Sequence, residues 1–225
     1  MKILERVSLD MPADIGKDFL TRLMGGRLIP EMEEMLEQNR PTCLKSIKPK
    51  GMYDTFEISH IEGKSVYFKS GNIFTGPNIS KILKGSDIAI IFIFTLGPGA
   101  DALIKETDKK GDSLAVIIMD AITTSMLECL GKYMAEIIKK EGIGGNNWAS
   151  TCSYSPGQYK WTIEEQKEIF SMIDCNKIGV SLNSSFLMIP FMSVSGVYGF
   201  GHIDKIDKTR VACDLCPREN CIGRR

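Results

Sequence analysis

The sequence predicts one α+β domain with a short cysteine-bearing tail. Three observations lead there. Asp112 to Lys140 carries apolar residues at helical spacing. Ser86 to Leu96 is a dense β-branched and aromatic run, the signature of a strand buried on both faces. Several shorter segments alternate apolar and polar residues, and no repeat, low-complexity segment or linker splits the 225 residues in two.

Taken in order, residues 12–40 read as two short helices. Ile15, Phe19, Leu20 and Leu23 share a face, Gly25-Gly26 stop the first helix and Pro30 opens the second. Residues 50–75 read as a hairpin turning at Glu62-Gly63-Lys64, and residues 77–85 as a short helix. The buried strand ends at Gly97-Pro98-Gly99, and a helix follows to about Thr107. In the long helix, Ile118, Ile122, Met126, Leu130, Met134 and Ile137 form the apolar face. Asp120, Thr124 and Glu128 form one polar stripe on it, either a solvated face or the lining of a pocket with Glu128 open to a cationic ligand. Gly142 to Gly145 break the helix, and Asn146 to Gln158 look extended. Thr162 caps a helix that runs to about Ile173. Ile178–Leu182 and Val194–Phe200 alternate like strands, with a bend at Pro190 between the two strands read over 182–196. The expected organisation is an N-terminal part of helices and hairpin over 1–85, packed on a core over 86–210, and a tail over 211–225, all in one compact domain.

Composition narrows the function. Lys and Arg number 28 and Asp and Glu also 28, so no basic excess exists to hold nucleic acid or an acidic membrane. The N-terminal residues are too polar for a signal peptide, and the run Ile88 to Leu96 is far shorter than a membrane span. Seven cysteines, an odd number, point to a reducing compartment, and the cytoplasm is the expected location.

Four motifs bear on chemistry. In the tail, Cys213, Cys216 and Cys221 lie in a charged stretch where nothing reads as core. Thiolates at this spacing can converge on zinc or on one edge of an iron–sulfur cluster, with a fourth ligand from Cys43, Cys129, Cys152, Cys175 or a partner; a solvated tail is the other reading. Gly97-Pro-Gly-Ala-Asp-Ala102 fits the G-x-G-x-x-A dinucleotide fingerprint, although Pro98 removes an N–H from the loop. Ser153-Tyr-Ser-Pro-Gly-Gln-Tyr-Lys-Trp161 holds a tight Pro156-Gly157 turn, expected to be type II. Such a turn exposes backbone N–H and C=O groups to a ligand, and Tyr154, Tyr159 and Trp161 would add apolar surface. In the fourth, Leu182 to Gly196, Met188 and Met192 read as adaptable core filler.

The last two motifs carry a resemblance. S-P-G-Q-x-x-W, then E-x-x-I-F, then I-G-V-x-L-x-x-S-x-x-M-x-P-x-x-S-V-S-G is similar to the activation domain of cobalamin-dependent methionine synthase and to free-standing relatives of that domain. The resemblance runs from about Thr95 to the C-terminus. It implies a mainly antiparallel sheet flanked by helices and a shallow groove for S-adenosylmethionine. It also implies delivery of that ligand to a cobalamin carried by a partner, a corrinoid protein or cobalamin-dependent methyltransferase. A flavodoxin or ferredoxin would be the electron donor. Carried over by position, the ligand contacts are Glu128, facing the amino group, and Ser153, Tyr154, Ser155, Pro156, Gly157, Gln158 and Tyr159 around the turn. Ser153 stands where the methionine synthase version has an arginine for the ligand carboxylate, Gln158 where it has tyrosine, and Asn147 where it has a second acid. No catalytic residue is implied. The leaving thioether is neutral, so the step needs in-line placement rather than an acid or base.

The leading expectation is therefore an S-adenosylmethionine-binding protein that supports reductive methylation of cobalamin in a partner. An NAD(P)-dependent oxidoreductase using Gly97-Pro98-Gly99 and a non-catalytic metal-binding adaptor are the alternatives.

Overall fold

The computed structural model describes residues 1–5, 7, 9, 11–140 and 145–221. Its spine is a curled antiparallel sheet with helices on both faces. In chain order the elements are β1 (Lys2–Leu4), α1 (Lys17–Leu23), α2 (Pro30–Ser46), β2 (Lys50–Glu62), β3 (Ser65–Phe68) and β4 (Ile73–Thr75). They continue with α3 (Ile79–Ile82), β5 (Ile88–Thr95), α4 (Pro98–Lys109), α5 (Ser113–Lys140), β6 (Trp148–Ser150) and α6 (Gln166–Met172). The last strands are β7 (Ser181–Leu182), β8 (Met188–Ile189) and β9 (Ser193–His202).

The strand order is β4-β3-β2-β5-β9-β6, with β1 on β2. Each pairing is antiparallel. The predicted buried run is the central strand, β5. It is hydrogen-bonded on one side to β2 in the register Lys50↔Thr95 to Glu57↔Ile88, and on the other to β9, Ile88↔Phe200 to Thr95↔Ser193. Pleating sends alternate side chains to opposite faces. Ile90, Phe92 and Phe94 join one core with α1, α2 and α5; Ala89, Ile91 and Ile93 join a second core under α3 and α6. Two covered faces explain why β5 reads as continuously apolar.

The long helix forms as its periodicity predicts. Ile118, Ile122, Met126, Leu130 and Met134 are buried; Ile138 closes the stripe, while Ile137 is only half-buried. By length and composition α5 could cross a membrane. Its apolar face is instead packed against α1, α2, α4 and the sheet. The predicted glycine break lies mostly at 142–144, outside the described residues.

Three local readings need correction. Ile178 does not begin a strand: residues 175–178 form a 3-10 turn closed by Gly179, and the strand is only Ser181–Leu182. The helix predicted from Thr162 starts as a 3-10 turn over 163–165, with no capping bond from Thr162. The tail is not free of core contacts, because Ala212 and Leu215, in a 3-10 turn, pack against the second core.

Candidate functional site

An open groove of about 560 Å3 lies between α5, the sheet and the tail. That volume falls within the range of small-molecule sites, about 300–1,000 Å3. Its floor is aromatic: Phe92 and Phe94 from β5 stack with ring centroids 5.7 Å apart, and Tyr198 from β9 leans on Phe92 at 5.3 Å. One wall is the face of α5 that carries Thr124, Leu127, Glu128, Gly131, Lys132 and Ala135, spaced by threes and fours as one helical face requires. The opposite wall is Cys152, Ser153, Ser155 and Gln158. Val211, Ala212 and Cys213 of the tail close the end.

The Pro-Gly turn is built as its sequence predicts. Gly157 has φ 88°, which suits the third position of a type II turn, and the Gln158 N–H donates to the Ser155 carbonyl at 3.1 Å. Its N–H groups, however, do not face a ligand. Tyr154 N–H donates to the Val197 carbonyl at 3.0 Å, Ser155 N–H to Gln158 Oε1 at 2.9 Å and Gly157 N–H to the Trp161 carbonyl at 2.8 Å. Pro156 has none. What the segment can offer a ligand is mostly oxygen, its carbonyls and the hydroxyls of Ser153 and Ser155, together with the neutral side-chain amide of Gln158.

The segment entering the turn alternates. Ser153 and Ser155 point to the groove, and Tyr154 points through the sheet to the second core. Tyr154 and Trp161 are each 1% exposed and stack at 5.8 Å, so neither adds surface to the site. The Tyr154 hydroxyl donates to the Tyr159 carbonyl and accepts from Asn78 Nδ2 at 3.2 Å; burial pushes its pKa up. Tyr159 is a surface ring beside Lys160 and lies outside the groove lining. Pro156 and Gly157 set the bend without lining the groove. Of the predicted contacts, the fold therefore gathers Glu128, Ser153, Ser155 and Gln158. Asn147 is also outside the groove lining; its carbonyl accepts from Ile203 N–H at 2.8 Å.

Gly196 explains the end of the S-V-S-G motif. A Cβ there would lie 2.7 Å from Phe92 Cζ, 2.8 Å from the Tyr154 carbonyl and 2.9 Å from Ser155 Oγ. The missing side chain is what lets the turn segment lie against β9 beside the aromatic floor.

The cysteine reading fares differently. Among the described residues, no group of three His, Cys, Asp or Glu side chains could hold a metal ion. Docking of Ala212 and Leu215 turns Cys213 to the groove; Cys216 is half-buried and Cys221 exposed. Cys213, Cys216 and Cys221 thus form no metal centre in this arrangement. Burial lifts the Cys43 thiol to about 11 and the Cys175 thiol to about 12, which keeps both protonated at neutral pH.

The dinucleotide reading fails on topology. A fingerprint loop needs parallel βαβ connections, but β5 is antiparallel to both neighbours and residues 113–140 are one helix. Gly99 is already covered: a Cβ on it would sit 2.0 Å from the Ser46 carbonyl oxygen, where a pyrophosphate would have to approach.

The family model for the activation domain of vitamin B12-dependent methionine synthase matches residues 79–206, more than half of the chain. The chain belongs to this family. Among solved structures, the chain is similar to the crystal structure of the MetH reactivation domain bound to AdoHcy. The TM-score is 0.61 at 17% identity, covering 91% of this chain and 82% of that one, which establishes a shared fold. No curated protein matches the chain. The matched residues stop short of the tail, so the groove wall at 211–213 lies beyond the family's span.

Sequence reasoning missed Lys132 and the aromatic floor of the groove. Lys132 continues the stripe 120, 124, 128 by one more step of four, a signal that was there to follow. The aromatic floor was hidden because Phe92 and Phe94 look like any other residues of a buried run.

Proposed function

We propose that the groove binds S-adenosylmethionine and presents its methyl group to a cobalamin carried by a corrinoid partner, returning that partner to its methylated state. The observation that carries this reading is the facing of Glu128 on α5 and the Ser153–Gln158 segment across an open groove floored by aromatic rings. The similar reactivation domain was crystallised with AdoHcy, the demethylated form of this ligand.

The chemistry of the lining fits. The ligand carries an ammonium, an adenine amino group and ribose hydroxyls, all donors. The groove offers acceptors: the Glu128 carboxylate and the oxygens of the turn segment, whose own N–H groups are committed. A carboxylate meeting an ammonium makes a charge-assisted bond, stronger than a neutral one. The rings of Phe92, Phe94 and Tyr198 give the adenosine and the sulfonium methyl an apolar surface. Cobalamin on the partner supplies a reduced cobalt nucleophile. The residues of this chain bind and orient the ligand so that sulfur, methyl and acceptor can align, and none of them has to move a proton.

Isothermal titration tests the reading. Wild-type protein should bind S-adenosylmethionine and not NADH, and Glu128→Ala should weaken binding by about 1–3 kcal/mol through loss of the charge-assisted bond. Unchanged affinity in the variant would remove Glu128 from the site.

A further inference from the structure

We infer that Lys132 is the cation that holds the carboxylate of the bound ligand, a positioning role that rests on the S-adenosylmethionine reading above. The amino-acid end of that ligand is a zwitterion, with ammonium and carboxylate on one carbon. Glu128 answers the ammonium and leaves the carboxylate to be met. Its usual partners would be backbone N–H groups or a cation. From Tyr154 to Gln158 the N–H groups are bonded within the protein or missing at Pro156. Ser153, Ser155 and Gln158 offer only neutral side chains, which leave the negative charge unmatched.

Among the described residues that line the groove, Lys132 is the one cation. It stands four residues after Glu128 on the same face of α5, about 6 Å further along the axis. Two long side chains one turn apart can converge on a single carbon carrying opposite charges. Gly131 and Ala135, which also line this wall, put no bulk around the lysine stem. Arg210, beyond Cys152 in a neighbouring cavity, is engaged elsewhere: it pairs with Asp207 at 3.1 Å and donates to the Lys81 carbonyl at 3.1 Å. Glu128 and Lys132 thus form a charge pair that matches the ligand in sign and order, and the pair sets selection for a free α-amino acid terminus.

Titration with S-adenosylmethionine and with its decarboxylated analogue tests this on wild type, Lys132→Met and Lys132→Arg. Lys132 is an exposed helix residue, and methionine and arginine are both good helix formers, so the variants should keep the fold, as circular dichroism would verify. Lys132→Met should weaken S-adenosylmethionine about 10- to 100-fold and leave the decarboxylated analogue unchanged. Lys132→Arg should restore most of the loss. An equal loss for both ligands, or no loss, overturns the role of Lys132 while leaving the groove reading intact. Failure of the wild-type protein to bind S-adenosylmethionine overturns both.

Discussion

Along α5 the polar positions 120, 124, 128 and 132 share one face, yet they meet different surroundings. Thr124, Glu128 and Lys132 reach the groove; Asp120 does not, and burial raises its carboxyl pKa above the usual 3.8. The folded chain therefore holds this proton more tightly than the unfolded chain. The stabilisation tied to that proton is complete below pH 3.8 and is lost as pH rises through the raised folded value. At neutral pH a half-buried charge remains as a cost. Asp120→Asn should raise Tm at pH 7, and the gain should shrink as pH falls toward 3.8, in thermal melts across that range. A gain that does not change with pH would contradict this account of Asp120. The polar stripe was legible from its spacing. The split between Asp120 and the groove residues was not, because it depends on where the sheet edge and tail meet the helix.

At the scale of elements, β9 and the segment before the Pro-Gly turn depend on each other. Tyr154 bridges Val197 in both directions, with N–H to carbonyl distances of 3.0 and 2.9 Å, directly beside Gly196. Gly196→Ala would drive a methyl group into Phe92 and the Tyr154 carbonyl. It should destabilise the fold by about 1–3 kcal/mol, read as a lower urea midpoint. An unchanged midpoint would show that the contact has more room than its geometry implies. Long elements were readable because periodicity accumulates: α5 and β5 formed close to their predicted limits. Short ones were not. Residues 178–182 alternate like a strand, yet Gly179 in the left-handed region ends a 3-10 turn there. Of the aromatic residues near Pro156 expected to give a ligand apolar surface, Tyr154 and Trp161 are buried in the second core. Which face Tyr154 takes is decided by its pairing with β9, a partner more than 40 positions away in sequence.

For the whole molecule, the first 85 residues are inseparable from the sheet. The first eight residues of β2 are hydrogen-bonded along β5, and α1 and α2 cover the same core as α5. Sequence reading placed these elements but gave them little part in the resemblance, since their contribution is to position β5 rather than to line the groove. The groove itself assembles from β5, α5, the 152–158 segment, β9 and the tail, stretches spread between residues 92 and 213. Each piece could be found in the sequence; their convergence needed the three-dimensional register. The tail shows the limit most clearly. Its cysteines suggested a metal, while the folded chain uses Ala212 and Leu215 to dock the tail and brings Cys213 to the groove wall. A crystal structure of the chain grown with S-adenosylmethionine would test the central claim directly. The account predicts the ligand in this groove, with its ammonium on Glu128, its carboxylate on Lys132 and its methyl group open to solvent for a partner. Ligand bound elsewhere, or a groove that stays empty at saturating ligand, would contradict it.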